Sequence, residues 1–115
     1  MSAALEHRLL QGLPPATGWT ADAVEAAVLR CVDGAASVDV LGAAPRLWLT
    51  RLTDRGVDWR AQLSDLERTA MEQRVLDDVP WRMVARACGT RSVPTVQRAV
   101  RRALRRLWDT HGLET

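Results

Sequence analysis

A chain of 115 residues with 47% apolar content suits one small folded domain and argues against disorder. Its net charge of +2 is unevenly laid out: residues 1–81 hold eight arginines and twelve acids, residues 82–106 hold eight arginines and no acid, and lysine is absent. Two scattered cysteines, no basic-then-apolar start and no apolar run near eighteen residues argue against a disulfide scaffold, a secretory leader and a membrane span, and predict a cytoplasmic protein.

Residues 1–18 contain a short helical pattern at 5–10 and then QGLPPATG, where Pro14, Pro15 and Gly18 end regular structure. This stretch reads as a flexible N-terminal arm preceding one helical domain at 19–110. Thr20 can cap a helix from Ala21 to about Val32, with Val24, Val28, Cys31 and Val32 as its apolar stripe and Gly34 as its stop. SVDVLGA at 37–43 stays open between strand, turn and helix. Pro45 opens a helix carrying Leu47, Trp48, Leu49 and Leu52, which Gly56 closes. The connection 53–63 holds a helical turn near Trp59.

Ser64 and Glu67 form a capping box, and the helix they start runs to about Leu76 with Leu66, Ala70, Met71 and Val75 on one face. In DDVPWRMVARACG, either Asp78 caps or Pro80 takes the first helical position, and Val84, Ala85 and Cys88 point inward. Gly89 ends that helix. Ser92 then caps a long helix from Val93 to about Trp108, with Pro94 in its first turn. Val96, Val100, Ala103 and Leu107 form its inner stripe, with Ala99, Leu104 and Trp108 beside it.

The expected fold class is therefore all-α, a small helical domain ending in a helix-turn-helix at about 80–108 with a long basic recognition helix. Small residues are needed where the two helices cross, and Ala85 and Ala99 meet that need. The helical period then fixes the opposite face: Thr95, Gln97, Arg98, Arg101, Arg102 and Arg105. In such units the N-terminal part of the second helix enters the DNA major groove. Thr95, Gln97, Arg98 and Arg101 are the expected base readers, since Gln suits adenine and Arg suits guanine. Arg82, Arg86, Arg91, Ser92, Arg102 and Arg105 are the expected backbone contacts. Arginines at i,i+4, such as Arg98 and Arg102, repel one another, so a run of eight with no acid points to an external polyanion.

The stretch from Pro80 to Arg102 resembles the C-terminal DNA-binding domain of the bacterial chromosomal replication initiator. Gly89 and Arg91 match that family's glycine-containing turn, Thr95 and Val96 its Thr-Val pair, and Ala99 and Arg101 the alanine and arginine that follow. The likeness covers about a quarter of the chain. The family usually has Gly, Asp, His and Thr where this chain has Thr90, Ser92, Val93 and Pro94, a departure that falls on the group reading the family's origin box. The resemblance implies that Arg91 reaches the minor groove or a phosphate and that Thr95 approaches a base. The initiator's ATPase has no counterpart here, since no phosphate-binding loop motif occurs. A stand-alone domain of this kind looks like the DNA-binding component of gene transfer agent activators, which implies a second protein contacting RNA polymerase.

His7 and His111 sit near opposite ends and away from both cysteines, without zinc spacing. Asp77 and Asp78 are adjacent, and Asp54 and Asp58 flank a glycine, so neither pair reads as an acid–base couple. The chain reads as a non-enzyme without cofactors. Three functions stay open: a sequence-specific double-stranded DNA-binding transcription regulator, with a homodimer as one state; a DNA-packaging accessory resembling a small terminase subunit; and an interaction module whose basic helix docks an acidic protein.

Overall fold

Thr20 sets the start of the first helix, its Oγ1 accepting from the Ala23 amide at 3.1 Å. The computed structural model describes residues 20–111, so the expectations for the arm at 1–18, for His7 and for Trp19 lie outside it. The described residues hold five α-helices and no strand. They group into two compact units whose boundary falls between Arg51 and Leu52.

In the first unit, α1 spans Ala21–Val32 and buries Val24, Ala27, Val28, Cys31 and Val32. Gly34 takes φ 79° just past its end, the conformation glycine adopts at no steric cost. The ambiguous run at 37–43 settles as a 3₁₀ turn, Val38–Leu41, with Leu41 buried. α2 spans Ala44–Asp54 and crosses the unit boundary. It begins one residue before Pro45, and Trp48, Leu49 and Leu52 are buried. Arg51 lies 3.7 Å from Glu25 of α1.

The second unit starts with the end of α2. Trp59 is buried, and its indole N–H donates to Thr53 Oγ1 at 3.2 Å while Arg60 stacks over its ring at 4.3 Å. A 3₁₀ turn follows at Arg60–Gln62. α3, Asp65–Ala70, opens on the expected capping box: Ser64 N–H donates to Glu67 Oε1 at 3.0 Å and Glu67 N–H to Ser64 Oγ at 3.2 Å. The helix expected to reach Leu76 in one form changes at Met71 and continues as a π-helical run, Met71–Leu76. Leu66 and Val75 of its expected inner face are half-buried, whereas Ala70 and Met71 are fully buried.

The exit from that run overturns the capping expected for the next helix. Asp77 N–H bonds Glu72 C=O, and Val79 N–H bonds Gln73 C=O at 2.9 Å. This wide closing turn places Asp78 at φ 57°, a left-handed position that aspartate tolerates better than most residues. Asp78 therefore ends the preceding helix, facing Arg74 at 3.3 Å, instead of capping the following one. Pro80 is the N-cap itself, extended at ψ 145°, and Trp81 takes the first helical position of α4, Trp81–Ala87. Arg74 secures this connection, donating to Val79 C=O at 3.1 Å and lying over the Trp81 ring at 5.1 Å.

α5, Val93–His111, is about 28 Å long and packs against both α3 and α4. Its inner face is the expected one: Val96, Ala99, Val100, Ala103, Leu104, Leu107 and Trp108 are all buried. It runs three residues past the expected end, with Thr110 Oγ1 donating to Arg106 C=O at 3.1 Å and the His111 ring 3.1 Å from Gln62.

One tie between α3 and α5 is invisible in the sequence. Glu67 is 2% exposed and accepts from Arg106 Nη1 through the same Oε1 that serves the capping box. Burial acts to raise the Glu67 pKa, but hydrogen bonds from Ser64 and the Arg106 charge outweigh it and hold the carboxyl below its ordinary value. A depressed folded pKa gives stability that is present above the ordinary carboxylate range and is lost as pH falls through the depressed value. Glu67→Gln should lower stability at neutral pH by about 1–3 kcal/mol, the scale of a hydrogen bond to a charged group. It should also flatten the acid limb of a pH series of urea midpoints. An acid limb identical to wild type would remove Glu67 as its source.

Candidate nucleic-acid interface

Three consecutive pieces build the surface: α4, the five-residue turn 88–92 and the start of α5. Cys88 caps α4, and Gly89 follows at φ 75°. Thr90 N–H then bonds Ala85 C=O at 3.0 Å and Gly89 N–H bonds Arg86 C=O at 3.1 Å. This pair of bonds is the Schellman closure, which satisfies the last carbonyls of α4 and turns the chain sharply. Thr90 Oγ1 accepts from Ser92 N–H at 3.0 Å, and Ser92 Oγ accepts from Thr95 N–H at 3.3 Å, so the turn is braced at both ends. Beyond the two adjoining residues, no atom lies within 4 Å of where a Cβ would stand on Gly89. Gly89→Ala should therefore cost only the left-handed backbone penalty, about 1 kcal/mol, read as a shift in urea midpoint. A cost several times larger would mean that the turn depends on more than backbone conformation.

Each expected site residue has a definite place. Gln97, Arg98, Arg101 and Arg102 are exposed on α5, opposite its buried face. Thr95 is half-buried at the border of the two faces, and Ser92 is half-buried with its hydroxyl engaged as the helix cap. Arg105 is exposed and sits 3.9 Å from Asp109, a surface pair that contributes little. Arg82 and Arg86 are exposed on α4, and Arg91 is exposed in the turn. Arg82, Ala85, Arg86, Thr90, Arg91 and Val93 line one concavity of about 560 Å³.

The structure sorts arginines that look alike in sequence. Arg60, Arg68, Arg74 and Arg106 are engaged by Glu72, Asp65, Asp78 and Glu67 respectively. Arg82, Arg86, Arg91, Arg98, Arg101 and Arg102 have no acidic partner among the described residues, and all six lie on α4, the turn or α5. Arg106 belongs to the same run of eight yet serves the fold. Only its partner across the packed helices distinguishes it from Arg105.

The start of α5 has few amides to give. Pro94 has no N–H and the Thr95 amide is held by Ser92, so anion binding on this surface falls to guanidinium groups more than to a helix end. Met83, 57% exposed on α4, is the largest apolar exposure among the described residues. Burial pushes the Cys88 thiol pKa up, which disfavours the reactive thiolate. Among the described residues no three His, Cys, Asp or Glu side chains gather as a metal site, and no helix is long and apolar enough to cross a membrane. No protein-family model, curated protein or solved structure matches the chain.

Proposed function

We propose that the chain is a sequence-specific, double-stranded DNA-binding transcription regulator, with α4, the turn and α5 acting as a helix-turn-helix. The carrying observation is the set of unpartnered arginines on those three consecutive pieces. Arg60, Arg68, Arg74 and Arg106 are held by acids within the fold, whereas six arginines of α4, the turn and α5 have no acidic partner among the described residues; Arg46 and Arg55, on and just after α2, are also without one. Side-by-side arginines repel, and a purely structural helix would gain from acids there, so their arrangement is favourable once a polyanion neutralises them.

Duplex DNA fits better than an acidic protein because the exposed face mixes Gln97 with Arg98 and Arg101 on a braced, convex helix. Such a helix can enter the major groove, where glutamine and arginine distinguish adenine from guanine. Arg82, Arg86 and Arg91 then meet the flanking backbone, together with Ser92, Arg102 and Arg105. A regulatory role in a phage-like or gene transfer agent cluster, with a partner contacting RNA polymerase, rests on the resemblance carried by Gly89, Arg91, Thr95, Val96, Ala99 and Arg101.

Titrating the full chain with random-sequence duplexes at several salt concentrations tests the reading. About four neutralised phosphates give a log–log salt slope of roughly −3.6. Sizing of the complex separates a monomer or dimer from a packaging ring. Absence of duplex binding at low salt, with capture of acidic polypeptides instead, would replace DNA by a protein partner.

A further inference from the structure

Arg82 and Arg86 stand on successive turns of α4, and Arg91 comes from the turn, yet all three line the same concavity. Ala85 forms part of that lining, where a larger side chain would occupy the space. The third arginine is held there by backbone, because the Thr90–Ala85 and Gly89–Arg86 hydrogen bonds fasten the turn onto the last turn of α4. No acid contributes to the lining, and none of the three guanidinium groups has a hydrogen-bond or ion-pair partner among the described residues. Nearby Arg74 is the contrast: it has an aromatic ring, a carbonyl and a carboxylate around it.

We infer that this concavity is a preformed seat for one phosphate group, in which Arg82, Arg86 and Arg91 act as a unit. Its source, on the DNA-binding reading from which this inference proceeds, is a single phosphodiester of the bound duplex. Planar guanidinium forks match the geometry of phosphate oxygens, and three arginines that line one hollow can share one anion. The α5 stripe differs in kind. Arg98, Arg101 and Arg102 follow one another along a convex helix face, so each meets its own group on the DNA. The seat therefore fixes the register of the protein on the duplex, while the stripe samples the groove. Positive charges that share one phosphate lose affinity non-additively when removed, whereas charges with separate phosphates lose it additively.

The test uses the full chain and duplexes carrying one uncharged methylphosphonate at each backbone position in turn. One position should weaken wild-type binding roughly tenfold, the scale of a charge-assisted hydrogen bond. At that position Arg82→Ala, Arg86→Ala and Arg91→Ala should each add little further loss, and Arg102→Ala should add its full loss. Three variants that couple to three different phosphates, or to none, would overturn the shared seat while leaving DNA binding intact. A second arm keeps the two readings separable. Inorganic phosphate is titrated into the protein without DNA, and the arginine side-chain N–H resonances are followed by NMR. Arg82, Arg86 and Arg91 should shift together and ahead of Arg98, Arg101 and Arg102. Uniform shifts of all six, or none in these three, would overturn the seat even where duplex binding holds. Concerted shifts of the three without duplex binding would keep a phosphate seat and remove DNA as its source.

Discussion

Val96→Asp should unfold the second unit or leave it without fixed tertiary packing. Val96 is fully buried on the face of α5 that packs against α3 and α4. Burying an unpaired charge costs several kcal/mol, on the order of the 5–15 kcal/mol that holds a small domain together. The neighbouring change is the control. Gln97 is exposed, so Gln97→Asp should leave stability within about 0.5 kcal/mol. It should nevertheless weaken DNA binding, because it places an acid in the middle of the arginine face. Thermal unfolding followed by circular dichroism checks the first outcome and duplex titration the second. A native-like Val96→Asp protein would contradict the phase of α5 and, with it, every residue assigned to the outer face.

Arg98→Ala should cost about 1–3 kcal/mol on the preferred site, the range for a bidentate base contact, and much less on unrelated duplexes. Arg86→Ala should weaken all duplexes about equally and flatten the salt dependence by less than about one unit, since Arg82 and Arg91 stay on the shared phosphate. The difference follows from position. Arg98 lies near the front of the exposed face of α5, where a groove-bound helix meets base edges. Arg86 lines the concavity of α4 and the turn, which on the proposed docking faces the DNA backbone. Equal losses for both variants on every duplex would remove Arg98 from base reading and make the whole surface an electrostatic one.

The two faces of α5 are legible in the sequence because the helix is long and unbroken. Nineteen residues at a period of 3.6 leave one consistent partition, and every residue assigned to its inner stripe is buried. Thr20, Ser64 and Ser92 were readable for a local reason: a cap needs only a hydroxyl three residues before an amide. Gly89 was similarly evident at a helix end. The π-helical run was not, since MEQRVL carries the same apolar spacing as an α-helix. The left-handed Asp78 is not legible, because a cap and a helix terminator draw on the same residue type, and the sequence leaves Asp78 and Pro80 as alternatives where Pro80 proves to be the N-cap. The structural role of Arg106 depends on Glu67, thirty-nine positions away, and no local pattern reports it. The concavity was equally hidden. Arg82, Arg86 and Arg91 each read as a basic residue near a turn, and only the Schellman closure brings Arg91 beside the other two.

Sequence-specific recognition of duplex DNA by α5 is most directly tested by selecting binders of the full chain from a random duplex pool, at about physiological salt, and sequencing the enriched fraction. The expected result is one shared motif, with Arg98→Ala relaxing particular positions in it and Arg86→Ala leaving its positions unchanged. A pool that emerges as random as it entered would contradict base reading by Thr95, Gln97, Arg98 and Arg101, and with it the account of this chain as a sequence-specific regulator.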